Sequence, residues 1–233
     1  MATASNSALQ GRRVLDLADE KGTYCGKLLA DMGADVLKIE PPGGASTRRL
    51  PPFWRDEADP ERSLFFMYMN TSKRGVTLDI THPEGQALLG RLARTAHVII
   101  ETFPPGYLER LGLGAEALSA SNPGLVFTSI TGFGQTGPYS DFASADIVAS
   151  ALGGAMYVTG DEEDPQVMLA GFQACMMASV CAAASTLIAL HHSARTGEGQ
   201  HVDISMEETT VAVAHIAGVG RWLDDGIIPK RMG

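Results

Sequence analysis

The 233-residue sequence predicts an α/β fold, a Rossmann-like, mostly parallel sheet with helices on both faces. Three observations carry this expectation: the chain opens with a β-α-β pattern, the same alternation returns further on, and the strand candidates are short apolar runs of the kind buried on both faces.

Taken in order, Arg13 to Leu17 reads as the first strand, Thr23 to Met32 as a helix that Gly33 ends, and Ala34 to Glu40 as the second strand. Gly75 to Asp79 is a third strand. Thr81 to Ala96 is a helix, because Thr81-His-Pro-Glu84 is a capping box with proline inside its first turn. His97 to Glu101, Gly124 to Ile130 and Gln200 to Ser205 are further strands, and Asp141 to Val158 and Gly171 to Arg195 are helices. The last helix is crowded with alanine, which suits tight packing. Loops rich in proline and glycine lie at Pro41 to Pro52, Pro104 to Gly114 and Gly132 to Pro138, the kind of strand-end loop where α/β proteins place ligand sites. There is no internal repeat and no clean linker, so residues 1–233 are expected to form one domain.

Charge and cysteine usage narrow the function. A net charge of −9 argues against a nucleic-acid partner, since backbone phosphates are held by Lys and Arg. Cys25, Cys175 and Cys181 have no metal-ligand spacing, so no metal is expected and a reducing compartment is implied. The first residues carry neither a basic segment nor an apolar one, so the chain is expected to be cytoplasmic. Leu169 to Leu190 is long and uncharged, yet Gln173, Ser179, Ser185 and Thr186 dilute it, and a buried helix rather than a membrane span is expected.

Generic motifs are missing. After the first strand the turn is Ala18-Asp-Glu-Lys-Gly-Thr23, with one glycine and two carboxylates where a pyrophosphate would approach, so no GxGxxG stands at that turn; GxxxxGK[ST] and GxSxG are absent from the sequence. His191 and His192 are adjacent and point about 100° apart on a helix, so they cannot share one ion. The acidic run from Asp161 to Asp164 reads as a solvated loop.

Six segments in one order form a more specific pattern: Gly11 to Leu17, Leu29 to Pro42, Asn70 to Asp79, Ile99 to Gly106, Ser129 to Tyr139 and Arg195 to Ser205. In these the chain resembles the class III (CaiB/BaiF-like) CoA-transferases, specifically their large, coenzyme-A-binding domain. The resemblance implies coenzyme A or acyl-CoA as substrate, with no permanently bound cofactor. It implies coenzyme contacts from Arg48 and Arg49 in the loop after the second strand, and from Lys73 and Arg74. It also implies contacts from Thr102, which stands where the family has Asn, and from Phe103 and Arg110. Gathering these cations fits the physics, because an acidic protein must concentrate positive charge to hold phosphates.

The family's nucleophile is an aspartate, which must itself become the acyl partner of CoA. Counted back from Thr196, its position falls on Cys175, and no Asp or Glu occurs between Asp164 and Glu198. A buried structural cysteine is the expected role for Cys175, and the catalytic residue is unassigned. The family's racemase branch places a histidine where Ala145 stands, so racemisation ranks low. Family members are also longer, adding a small domain and a C-terminal return segment after the point reached by Pro229 to Gly233. The expectation is a CoA-transferase subunit that works with a partner chain supplying the aspartate, as an interlocked homodimer or a heteromer with a catalytic homologue. The alternative is a non-catalytic CoA-binding paralogue, and below it a cysteine-dependent acyl transferase.

Overall fold

The computed structural model describes residues 7–228, 230 and 231, with 214–219 given by backbone alone. The N-terminal segment expected to lack an export signal (1–6) and residues 229, 232 and 233 of the C-terminal end lie outside the described residues.

Six strands form one sheet: β1 (Arg13–Asp16), β2 (Asp35–Glu40), β3 (Arg74–Thr77), β4 (Val98–Glu101), β5 (Val126–Thr131) and β6 (His201–Ser205). Their order is β3-β2-β1-β4-β5-β6, and every pair is parallel. Successive strand residues point to opposite faces. Val14, Val36, Val98, Ile100 and Val126 therefore join one core with α1 (Thr23–Asp31) and the long α8 (Gln173–Thr196). Leu15, Ile39, Ile99 and Phe127 join a second core with α3 (Pro83–Ala93) and α5 (Ala115–Ser121). Helices thus cover both faces, as the apolar strand runs imply.

Smaller elements complete the chain: α2 (Leu64–Met69), α4 (Tyr107–Arg110), α6 (Asp146–Leu152), α7 (Ala155–Val158), α9 (Met206–Thr210) and α10 (Ile216–Asp225). Two helices depart most from expectation. The capping box at Thr81 does not form, because Asp79 Oδ1 accepts both the Thr81 N–H (2.9 Å) and its hydroxyl (2.6 Å); the helix starts two residues later, with Pro83 in its first turn. The helix expected over 141–158 is two short ones, separated at Gly153 and Gly154, where Gly154 takes φ 79°. The α8 window most suited by length and composition to a membrane is half buried in the fold.

Candidate coenzyme site

Strand order reverses between β1 and β4, and the crevice beyond their carboxyl ends is where open α/β sheets bind ligands. Two adjoining chambers occupy it. The first, about 310 Å³, is walled by Leu17, Ile39, Leu78, Ile80, Phe103 and Tyr107, with Lys38, Ser46, Asp79 and Thr81 as polar lining. The second, about 540 Å³, is lined by Lys21, Thr102, Pro104, Thr131, Ser140 and Phe142 among others. Leu17, Asp19 and Phe103 border both, so the Phe103 ring, stacked on Tyr107 at 4.8 Å, partitions one long cleft.

The expected coenzyme residues divide into two groups. Thr102 and Phe103 are in the cleft, and the Thr102 hydroxyl also accepts the Asp19 N–H at 2.9 Å, tying the β4 loop to the β1 loop. Arg49 is exposed on the loop beside the first chamber and reaches the Gly43 carbonyl at 3.3 Å. Arg110 is exposed and sits over the outer face of Tyr107 at 5.8 Å.

The other three cations are held by carboxylates of the fold. Arg48 forks onto the Glu40 carboxylate at 2.6 and 2.9 Å, pairs with Glu61 at 2.7 Å and stacks on Phe66. Burial pushes the Glu40 carboxyl up, but the Arg48 hydrogen bonds outweigh it and hold it below its ordinary value. Arg74 pairs with Asp35 at the opposite end of the strands. Lys73 is interior, with its side chain only 1% exposed, and bonds Asp16 Oδ2 (2.7 Å), Thr23 O (2.8 Å) and Asn70 Oδ1 (3.0 Å). A phosphate would have to break these bonds to reach it.

Lys73 shares Asp16, itself fully buried, with Lys38. Burial pushes the Asp16 carboxyl up, yet the two ammonium groups overcome it and hold it below the carboxylate range. Helix α1 passes this close only because residue 26 is glycine; a Cβ there would lie 2.4 Å from Asp16 Oδ2. Burial, and then Lys38 beside it, lower the Lys73 pKa against the pull of Asp16, and Lys38 lines the wall of the first chamber.

Cys175 lies in the first turn of α8 and is 2% exposed. Burial, and then the Asp146 carboxylate beside it, push its thiol well above the ordinary range, so almost no nucleophilic thiolate exists. Its backbone N–H donates to Asp146 Oδ1 at 2.9 Å, while Asp146 Oδ2 is buried without a hydrogen-bond partner. A carboxylate therefore does stand at the start of α8, supplied by α6. Cys175 and Asp146 are 29 residues apart, so no local pattern in the sequence pairs them. Glu101 was also missed as a functional residue. It sits inside a quoted segment but carries no local signal of its burial.

Comparisons with known proteins place the chain in a family. The model of the family described as CoA-transferase family III matches residues 9–233. The chain is 42% identical over 230 residues to a succinate–glutarate CoA-transferase of Agrobacterium fabrum, covering 97% of this chain and 57% of that protein. It is 40% identical over 196 residues to the BbsE subunit of succinyl-CoA:(R)-benzylsuccinate CoA-transferase of Thauera aromatica, covering 84% and 48%. The crystal structure of a CAIB/BAIF family protein from Brucella suis superposes with a TM-score of 0.91 at 38% identity, over 98% of this chain and 60% of that one. The chain thus spans about half the length of the relatives it matches. A family match over nearly every residue, on a fold this close to a solved member, means that the chain belongs to CoA-transferase family III.

Proposed function

We propose that this chain is the coenzyme-binding large domain of a CoA-transferase, which moves coenzyme A from a donor acyl-CoA to a carboxylic acid acceptor. The two-chamber cleft at the strand-order reversal, in a chain of this family, carries the reading. The first chamber has the size and apolar walls for the adenosine end, and Arg49 and Arg110 at its rim face the phosphates. The second takes the pantetheine arm past Thr102 and Phe103. Relatives named for succinate, glutarate and succinyl-CoA make short dicarboxylic acids the first acceptors to try.

The transfer step needs a carboxylate that forms first an anhydride and then a CoA thioester. Position 175 offers a buried thiol instead, and a thiol joined to CoA sulfur is a disulfide rather than a thioester. The nucleophilic aspartate accordingly comes from a partner chain. Exposed apolar side chains on α8 and α10 (Val180, Ile188, Trp222 and Leu223) support a protein partner, as does a relative named as a subunit. A non-catalytic coenzyme-binding paralogue is the second reading, favoured by the same buried thiol. Three free cysteines support a reducing, cytoplasmic setting.

Calorimetric titration tests the binding half of this proposal. Coenzyme A should bind with a dissociation constant between micromolar and millimolar. Arg49→Ala and Arg110→Ala should each weaken it several-fold without lowering the melting temperature. A wild-type chain that shows no saturable binding would sink the proposal. Intact-mass measurement after incubation with acyl-CoA tests the rest: a hydroxylamine-labile acyl group on Cys175 would overturn the partner-nucleophile reading.

A further inference from the structure

Glu101 ends β4 and immediately precedes Thr102 and Phe103, the residues that divide the cleft. It is 4% exposed, and its Oε2 accepts the Phe103 N–H at 2.7 Å. Its neighbour in register on β5 is Ser129, whose hydroxyl faces the carboxyl and is itself 2.9 Å from His201 Nε2 on β6. No cation pairs with Glu101 among the described residues. The charged groups that face it are Asp19 from the β1 loop and Glu109 from α4, both negative, while Lys21 is occupied by Asp19. A buried carboxyl with this company holds the backbone of the partition residue, yet has nothing to neutralise its charge.

We propose that Glu101 is a positioning residue that seats the Phe103 partition in its uncharged form, so that binding of coenzyme A draws a proton onto it. The inference rests on the coenzyme reading above. In the free chain burial pushes the Glu101 carboxyl up to about 7, with the Phe103 N–H and Ser129 hydroxyl only partly opposing it and Glu109 and Asp19 adding to it. Coenzyme A brings several negative phosphate charges into the same cleft and excludes water from it. Both effects disfavour the carboxylate further, and a ligand that binds one protonation state better must shift the population toward it. The hydrogen bond to the Phe103 N–H survives protonation, because the carbonyl oxygen of the acid still accepts it.

The test is calorimetric titration of coenzyme A in buffers of different ionisation enthalpy, from about pH 6 to about pH 8.5. The phosphate of the coenzyme is fully ionised at the upper end and no longer contributes. Wild-type chain should take up close to one proton per coenzyme bound at about pH 8, and its affinity should fall about tenfold per pH unit above about pH 7. Glu101→Gln, which keeps the acceptor and cannot ionise, should bind with flat affinity and no uptake over that interval; Glu101→Ala should bind weakly at every pH. Should the glutamine variant fail to fold, the wild-type proton count alone decides, and a count near zero at about pH 8 overturns the assignment. Equal uptake by wild type and Glu101→Gln overturns it too. Absence of coenzyme binding by the wild type at every pH would remove the coenzyme reading itself, and this inference with it.

Discussion

The residues that matter most in this chain are charged ones that the fold has buried, and their energetics differ by pairing. Asp16 is shared by Lys38 and Lys73, so removing Lys73 leaves a neutral pair, whereas removing Asp16 leaves two ammonium groups unpaired in the interior. Lys73→Met should therefore cost about 1–3 kcal/mol, chiefly through the acceptors of Asn70 and Thr23 left unsatisfied. Asp16→Asn should cost about 3–5 kcal/mol, the penalty for an uncompensated buried charge. Urea denaturation of the two variants reads the order directly, and equal losses would contradict the sharing. Glu101 gives a pH signature in the opposite sense to an ordinary paired carboxylate. Its folded pKa, about 7, lies above its unfolded one, so the stability it contributes is complete below the unfolded pKa of about 4.3 and is lost as pH rises through about 7. The melting temperature of the wild type should fall relative to Glu101→Gln between those limits, and parallel curves would refute the raised pKa. The sequence shows these charges but not their partners: Lys73 meets an aspartate 57 positions away, and Arg48 a glutamate 8 positions back across a loop. Of the five cations expected on phosphate, Arg48, Lys73 and Arg74 pair with carboxylates of the fold, while Arg49 and Arg110 are on the surface.

At the scale of elements, every expected strand is present; β1, β2, β4 and β5 are largely buried runs that need no long-range information to recognise, whereas β3 at the sheet edge is exposed throughout and β6 is buried only at its end. Helix ends were less legible. A capping residue works only if its hydroxyl is free, and Asp79 had already engaged that of Thr81. The start of α8 is the extreme case. Its own preceding residue, Phe172, supplies no side-chain cap, and the acceptor for the Cys175 N–H comes from Asp146 on α6. Asp146→Ala should cost about 1 kcal/mol, the usual value of a cap, since loss of the bond to Cys175 is partly offset by removing a buried, unpartnered Oδ2. Faster hydrogen exchange at the Cys175 amide would locate the loss at that turn. Cys175→Ala should leave stability within about 1.5 kcal/mol of wild type, because only a sulfur atom leaves a small site among alanines. A larger loss in thermal denaturation would mean that the thiol does more than fill space.

For the whole molecule, the sheet order places β1 in the middle, hydrogen-bonded to β2 on one side and to β4 on the other. Chain order and spatial order therefore disagree at the centre of the protein. As the polypeptide leaves the ribosome, β2 follows β1 closely, but the partner for the other edge of β1 is roughly 80 residues further along, from Asp16 to Val98. At usual synthesis rates that is about 4–16 s during which the central strand of the finished sheet presents an unpaired apolar edge. Nascent chains arrested before Val98 should be captured by chaperones and cut by protease within the first four elements, and chains arrested beyond Thr131 should resist both. The strand that borders the two-chamber cleft of the finished protein is thus its most exposed liability while the protein is being made.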